Sequence, residues 1–214
     1  MSAPRLLLAA LPLLAASSAA AEDGFSFKLQ AGYADLTNAK ASANAVFGSS
    51  GGLTYGAEIS YGLGDHVFVS VGGRYFKKDG ERVFVADPSG PVFRLGHPLS
   101  VRIIPVYATL GYRFEQRTHR SPFVPYLGIS AGSTSYHEES TVAGLSETSS
   151  ENKLFGQLVG GVEFGRGGVR VALEGAYAQV PSTIGIAGVS RVYNEKDIGG
   201  FSVVAKVIFA QPNR

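Results

Sequence analysis

The chain has 214 residues, of which 28 are glycine and none is cysteine, and 19 Lys and Arg against 17 Asp and Glu give a net charge of +2. This small net charge excludes the electrostatic signature of a nucleic-acid-binding protein. The absence of cysteine excludes a disulfide scaffold and catalysis by a thiolate. Composition therefore leaves a protein whose function must be sought in the pattern of the chain.

The first 21 residues have the pattern of a signal peptide that is removed on export. Arg5 precedes an apolar core at 6–14, and small residues end at Ala21 before the acidic pair that follows. No later run reaches the roughly 18 apolar residues that a membrane-spanning helix needs. The sequence thus predicts a signal peptide at 1–21 and a single mature domain at 22–214, and any membrane assignment depends on strands.

Eight segments of the mature chain alternate apolar and polar residues with the period of a β-strand. In the first segment, Phe25, Phe27 and Leu29 alternate with Ser26 and Lys28. We expect the apolar set to face lipid and the polar set to face a lumen, which makes the fold an all-β, eight-stranded antiparallel up-and-down transmembrane β-barrel. The predicted strands are 25–37, 52–62, 66–77, 100–115, 123–136, 153–165, 168–180 and 198–209.

The aromatic residues support this assignment of faces, because a shift by one residue would exchange the two faces of a strand. Most strand aromatics fall on the lipid-facing set near strand ends, as in the two interfacial girdles of a membrane barrel. One predicted girdle contains Phe25, Phe27, Tyr61, Tyr112, Phe114, Phe123, Phe164 and Phe209, and the other contains Tyr33, Tyr55, Tyr75, Tyr177 and Phe201. Six aromatics are predicted to fill the lumen: Phe68, Phe76, Tyr107, Tyr126, Tyr136 and Phe155.

The connections between predicted strands are alternately short and long. The short ones are 62–65, 116–122 and 165–168, and the long polar ones are 38–51, 78–99, 137–152 and 181–197. In barrels of this kind, short turns lie in the periplasm and long loops lie outside. The predicted location is therefore the outer membrane of a Gram-negative bacterium, with both termini in the periplasm.

Charged residues well inside the predicted spans fall on the lumen-facing set. With Glu115 near the end of the fourth span, the predicted lumen network is Lys28, Glu58, Arg74, Arg113, Glu115, Glu163, Arg170, Glu174 and Lys206. A two-residue turn at 166–167 would place Glu163 directly opposite Arg170. Without Arg74 these charges make a balanced network of four acids and four bases. Because eight strands enclose only enough space for side chains, this network predicts a plugged lumen. The alternative is that the charges gate a small ion pathway or relay protons.

The sequence offers little for catalysis, and we expect no cofactor, metal or catalytic site. The four histidines have no metal-ligand spacing. Ser135, His137 and Glu138 or Glu139 allow the hypothesis of a lipid hydrolase at the outer-leaflet rim, although residues two apart on one strand are separated by about 6.5 to 7 Å. The acidic segment 137–152 is either a solvated loop or a site for divalent cations near lipopolysaccharide phosphates.

Three runs of the sequence carry a resemblance to a known family. The run Ile-Pro-Val-Tyr-Ala-Thr-Leu-Gly-Tyr-Arg-Phe at 104–114, with Pro-Tyr-Leu-Gly-Ile-Ser-Ala-Gly at 125–132 and Gly-Gly-Val-Glu-Phe-Gly at 160–165, resembles small outer-membrane barrels related to the OmpA transmembrane domain and OmpW. The resemblance implies insertion by the barrel-assembly machinery, which reads a final strand ending in Phe, here Phe209. It also implies contact with outer-membrane lipid and lipopolysaccharide.

Several functions stay open at this point. The leading interpretation is a monomeric barrel with a structural or surface-interaction role and an unidentified extracellular ligand, rather than an enzyme. The main alternative is an OmpW-like conduit for small hydrophobic molecules, which needs an apolar upper lumen. A soluble lipocalin-type calyx would need a polar exterior and an apolar interior, the inverse of the pattern found in this chain.

Overall fold

The structure, a computed structural model, describes residues 24–64, 66–114, 123–142, 144–165, 168–185 and 188–210. The strands form a closed barrel in which each strand pairs with its sequence neighbours and the last pairs antiparallel with the first. They are β1 (Phe25–Asp35), β2 (Gly51–Leu63), β3 (Val67–Val85), β4 (Val92–Arg113), β5 (Phe123–Val142), β6 (Leu145–Phe164), β7 (Val169–Gln179) and β8 (Gly200–Ala210). The predicted eight-stranded antiparallel barrel is confirmed. The predicted signal peptide lies outside the described residues.

The two faces of each strand divide as the alternation predicts. Apolar side chains such as Leu53, Ile59 and Leu158 are more than half exposed on the outside. Lys28 and Glu58 point to the other face and are almost completely buried. Lipid can cover the outer apolar surface while the lumen shelters the polar groups, so this burial pattern suits a membrane wall and not a soluble calyx.

Both predicted aromatic girdles are present on the outer face. Near the short turns, the rings of Phe25 and Tyr61 pack with their centroids 4.8 Å apart. Near the opposite end, in the girdle that we call the upper one, the ring centroids of Tyr55 and Tyr75 are 5.2 Å apart. Further aromatic pairs on this face are Phe27–Phe209, Tyr112–Phe114, Phe123–Phe164 and Tyr177–Phe201. The two levels mark the interfaces of the membrane-spanning wall.

Two of the four predicted long loops are wrong. The segments 78–99 and 137–152 are mostly strand, since β3 stays paired with β4 as far as Val85 and β5 stays paired with β6 as far as Val142. Beyond the upper girdle the pattern changes, because many buried inner residues are apolar, as at Val83, Leu99 and Val101, and the outer residues are largely polar. A prediction from outward apolar residues alone therefore ends these four strands too early.

The other two long connections cover the mouth of the barrel, and we call their described residues within 36–50 and 180–199 the cap. The first contains a 3-10 turn at Thr37–Ala39 and the helix α1 (Lys40–Phe47), and the second contains the short helix α2 (Val189–Val192). Buried cap residues join the inner faces of the extended strands in one large apolar cluster. No helix in the described ranges is long and apolar enough to cross a membrane.

Candidate functional site

Five side chains of alternating charge form a continuous series of ion pairs across the lumen, which we call the ion-pair chain. Lys28 pairs with one oxygen of Glu58 at 2.8 Å, and Lys206 pairs with the other at 3.1 Å. Lys206 also pairs with Glu174 at 2.6 Å, and Glu174 pairs with Arg74 at 2.8 Å. Since these residues come from β1, β2, β3, β7 and β8, the chain crosses the line where the first and last strands close the barrel.

Neutral side chains complete the hydrogen bonding of the ion-pair chain. The Tyr126 hydroxyl donates to Glu174 at 2.8 Å, so this carboxylate accepts from three donors. Arg74 donates to Gln30 at 3.3 Å and to Ser202 at 3.0 Å. Buried charges are tolerated only when they are paired and their remaining polar atoms are hydrogen-bonded. This pairing explains how five charges occupy an interior almost closed to solvent.

A second ionic cluster lies nearer the short turns. Glu163 accepts from Arg113 at 3.4 Å and from Arg170 at 3.0 Å. The predicted register is wrong here, because Glu163 lies opposite Ala172 and not opposite Arg170. The connection between β6 and β7 is longer than a two-residue turn, which makes Arg170 a diagonal neighbour. A long side chain can still reach across a diagonal cross-strand position.

An aromatic ring lies between cations of the two ionic clusters. The Lys28 ammonium is 5.2 Å from the centroid of Phe68, and the Arg113 guanidinium is 4.6 Å from it. Gly111 lies against this ring, and a Cβ at that position would overlap it. Cations over an aromatic face are attracted by the ring quadrupole. All six predicted lumen aromatics are buried, namely Phe68, Phe76, Tyr107, Tyr126, Tyr136 and Phe155.

One predicted member of the lumen network, Glu115, lies outside the described residues. The eight others divide into five bases and three acids, and each makes at least one ion pair. The bases are Lys28, Arg74, Arg113, Arg170 and Lys206, and the acids are Glu58, Glu163 and Glu174. The described network therefore has two more positive than negative charges.

The cap is held by carboxylates that sequence reasoning did not single out. Glu195 accepts the backbone N–H groups of Ala41 and Ser42, both at 2.9 Å, at the start of α1. Asp197 accepts from the Asn38 side chain at 2.9 Å. A carboxylate at a helix N-terminus satisfies N–H groups that have no partner within the helix. Local capping patterns could not reveal these bonds, because Glu195 lies more than 150 residues from its partners in α1.

The other end of the α1 segment is fixed to β3. Lys78 donates to the Ser49 hydroxyl at 2.7 Å and to the Gly51 carbonyl. Partial burial lowers the pKa of Lys78, and the carboxylate of Asp35 opposes this effect. A Cβ added to Gly80 would overlap the backbone of α1. The extended part of β3 thus carries both a polar and a steric contact to the cap.

A cavity of about 90 Å³ is lined by residues of both the ion-pair chain and the cap. Arg74 and Gln157 supply polar lining, whereas Phe76, Phe155 and Ile198 supply apolar lining. The volume suits a few water molecules. It is far below the roughly 300 to 1,000 Å³ of a typical ligand pocket. The upper lumen is apolar, as a conduit would require, but cap side chains occupy it.

The proposed hydrolase residues at the rim do not form a catalytic triad. Ser135, His137 and Glu139 lie on the outer face, but Glu138 is buried on the opposite face of β5. His137 bonds to Ser150 on β6 at 2.7 Å, and Glu139 accepts from Ser146 at 3.2 Å. Because one acid lies on the wrong face and the other acid and the histidine are engaged by residues of β6, the geometry does not support the hydrolase hypothesis.

The acidic residues within 137–152 are dispersed. Glu147 pairs with Arg82 at 2.7 Å, and Glu151 pairs with Lys153 at 3.2 Å. In the part of the chain that the structure describes, no three His, Cys, Asp or Glu side chains come together in a way that could hold a metal ion. The segment is a β-hairpin with its acids directed to different neighbours, so the geometry does not favour a divalent-cation site.

Comparison with known proteins gives one family and several structural relatives. A family model for the outer membrane protein beta-barrel domain matches residues 6–204. A major outer membrane protein from Thermus thermophilus has a TM-score of 0.58 at 11% identity, over 88% of this chain and 99% of that one. Neisserial surface protein A has a TM-score of 0.51 at 15% identity, over 87% of this chain and 95% of that one. At such identities the likeness shows the fold alone. No curated protein matches the sequence.

Proposed function

Because the chain belongs to the outer membrane protein beta-barrel domain family, we propose that it is a closed, non-conducting barrel with a structural or surface-interaction role in the cell envelope. The observation that carries this proposal is the ion-pair chain from Lys28 to Arg74. Eight strands enclose only enough space for side chains. A water-filled pore would require these pairs to separate, and separating them exposes uncompensated charges.

The extended strands support the surface part of the proposal. β3 to β6 continue past the upper girdle, and their outer face exposes the directly paired Phe84 and Phe93, each more than half accessible. Exposed aromatic residues on regular strands are typical of interaction surfaces. We place this end outside the cell and both termini in the periplasm, since long connections belong to the outer side.

Conductance in planar bilayers tests the closed lumen. We expect the refolded wild-type protein to give no stable channel. The double variant Glu58→Ser/Lys206→Ser should conduct, because it removes two members of the ion-pair chain and leaves space for water. The matched control is Glu147→Ser/Arg82→Ser, which removes an ion pair of the extended strands. Stable channels formed by the wild-type protein would contradict the closed barrel.

Labelling of intact cells tests the orientation. The chain has no cysteine, so a single introduced thiol reports its own location. Ser89→Cys places a thiol in the exposed β3–β4 connection, and a membrane-impermeant maleimide should label it on whole cells. Asp65→Cys, in the connection between β2 and β3, should be labelled only after the outer membrane is opened. The reverse result would invert the proposed orientation.

A second candidate function is passage of small hydrophobic molecules, favoured by the apolar lining of the upper lumen at Phe76 and Phe155. This function needs the cap to move. The hydroxyl oxygens of Ser42 and Ser190 are 3.1 Å apart across the two parts of the cap, so Ser42→Cys/Ser190→Cys should form a disulfide that locks it. A conduit would lose uptake on oxidation and recover it on reduction, whereas a closed barrel would show no uptake in either state.

A further inference from the structure

Three basic side chains form a row on the outer face of the extended strands. Lys77 of β3 pairs directly with Arg102 of β4, and Arg102 pairs directly with His137 of β5. Lys77 and Arg102 are exposed, and His137 is half-buried. On β3, the outward residue before Lys77 is Tyr75 of the upper girdle. The row therefore begins immediately beyond the membrane-spanning wall.

The row places like charges directly opposite each other without a compensating partner for each. Two cations facing each other across neighbouring strands are destabilising. Lys77 has an exposed pair with Asp79 at 3.2 Å, whereas Arg102 makes no ion pair among the described residues. An anion lying over β3 and β4 at this level would interact with both cations at once.

The nearest acids on this face lie one step farther from the membrane. Asp79, Ser100 and Glu139 form the next outward row of paired residues, about 7 Å along the strands. In the upper girdle β4 and β5 contribute no aromatic residue on the outer face, where Ile104 and Ser135 occupy the corresponding positions. Basic residues thus mark this part of the boundary, between the apolar wall and the acidic row.

We propose that the row formed by Lys77, Arg102 and His137 binds the phosphate groups of lipopolysaccharide in the outer leaflet. Ammonium and guanidinium groups make strong, charge-assisted hydrogen bonds to phosphate. Bases next to a bilayer also concentrate anionic headgroups within a Debye length of the surface. The inference rests on the proposed orientation, because this glycolipid lies in the outer leaflet and the row lies at the end assigned to the outside.

Thermal unfolding in vesicles tests the row. The protein is reconstituted into phosphatidylcholine vesicles containing either bisphosphorylated or dephosphorylated lipid A, with EDTA to remove bridging cations. We expect the wild-type protein to convert from its heat-modifiable form at a higher temperature with the phosphorylated lipid. Lys77→Gln/Arg102→Gln should lose this difference, while Arg191→Gln, an exposed base on the cap, should keep it. Phosphatidylcholine vesicles alone verify that each variant folds.

Three outcomes would overturn the proposal. One is an unchanged lipid-dependent difference in Lys77→Gln/Arg102→Gln, and another is no difference for the wild-type protein. The third is an equal rise in the unfolding temperature with inorganic phosphate, which would exclude the lipid as the specific ligand. The vesicles present lipid A in both leaflets, so this test does not depend on orientation. A lipid-dependent shift without whole-cell labelling of Ser89→Cys would overturn lipopolysaccharide as the ligand, because the row would not face the outer leaflet. Labelling without a lipid-dependent shift would overturn phosphate binding by the row and leave the proposed orientation intact.

Discussion

The two halves of the barrel interior are filled in opposite ways. Towards the short turns, strand residues fill the lumen with paired charges, and the ion-pair chain ends at Lys28 and Arg74. At the mouth, the cap fills the space with apolar residues such as Val46 and Ile184. The first filling comes from the wall itself, whereas the second comes from connections folded over the wall. The strand register therefore fixes the ionic half, and long-range hydrogen bonds of the cap fix the apolar half.

This difference predicts two levels of stability. Residues of the ion-pair chain cannot leave the lumen unless the barrel opens, because neighbouring strands hold every one of them. The cap is held by fewer contacts than neighbouring strands make with each other. Among them are the hydrogen bonds of Glu195 to α1 and of Lys78 to Ser49. Segments with fewer buried contacts open at lower free-energy cost than the core strands. The cap should consequently open without unfolding of the barrel.

The largest effect is expected from Glu174→Gln. This change removes the charge that compensates Arg74 and Lys206 inside the lumen. Breaking a buried ion pair from one side typically lowers the free energy of unfolding by about 3 to 5 kcal/mol. Urea unfolding in detergent would measure it. The control Glu147→Gln removes an exposed partner of Arg82 and should cost less than about 1 kcal/mol. Equal losses would mean that the ion-pair chain is not an essential part of the interior.

Matched isoleucines separate the two halves directly. Ile208 in the ionic half and Ile198 in the cap are both nearly completely buried, and an Ile→Ala change typically costs about 2 to 5 kcal/mol. We expect Ile208→Ala to lower the urea midpoint of the barrel. Ile198→Ala should instead leave that midpoint nearly unchanged and accelerate hydrogen exchange of the Ala41 and Ser42 amides. An equal fall in the urea midpoint of the two variants would show that the cap and the barrel unfold as one unit.

The same contrast explains which features the sequence could reveal. The membrane-spanning wall was predictable, because lipid imposes one alternation on every strand and places charges such as Lys28 and Glu58 inside. The ion-pair partners were only partly predictable, since the choice of partner depends on register, and the β6–β7 connection shifted Arg170 to a diagonal of Glu163. The cap was not predictable, because the contacts of Glu195 join segments far apart in sequence.

Two exposed leucines of β6 test where the membrane-spanning wall ends. Leu158 lies on the outer face between the two girdles, whereas Leu145 pairs with Val142 at the far end of the extended β5–β6 hairpin. An arginine facing the middle of the bilayer costs about 2 to 4 kcal/mol. Leu158→Arg should therefore reduce the yield of folded protein in membranes, whereas Leu145→Arg should leave it near the wild-type level. Cell fractionation followed by heat-modifiability gels measures both, and similar yields would contradict the proposed membrane boundary.

The smallest effect concerns the fit of one aromatic ring in the ionic half. A Cβ at Gly111 would overlap Phe68, the ring between Lys28 and Arg113. Added methyl groups in a packed interior typically cost about 1 to 3 kcal/mol. Gly111→Ala should lower the free energy of urea unfolding by that amount, and Gly111→Ala/Phe68→Leu should recover part of the loss. At Gly156, also on a strand, the nearest atom to an added Cβ is 3.9 Å away. Because Gly156→Ala needs no such adjustment, we expect its free energy of unfolding to stay within about 0.5 kcal/mol of the wild-type value. A loss equal to that of Gly111→Ala would mean that strand glycines matter for a reason other than the space they leave for the lumen aromatics.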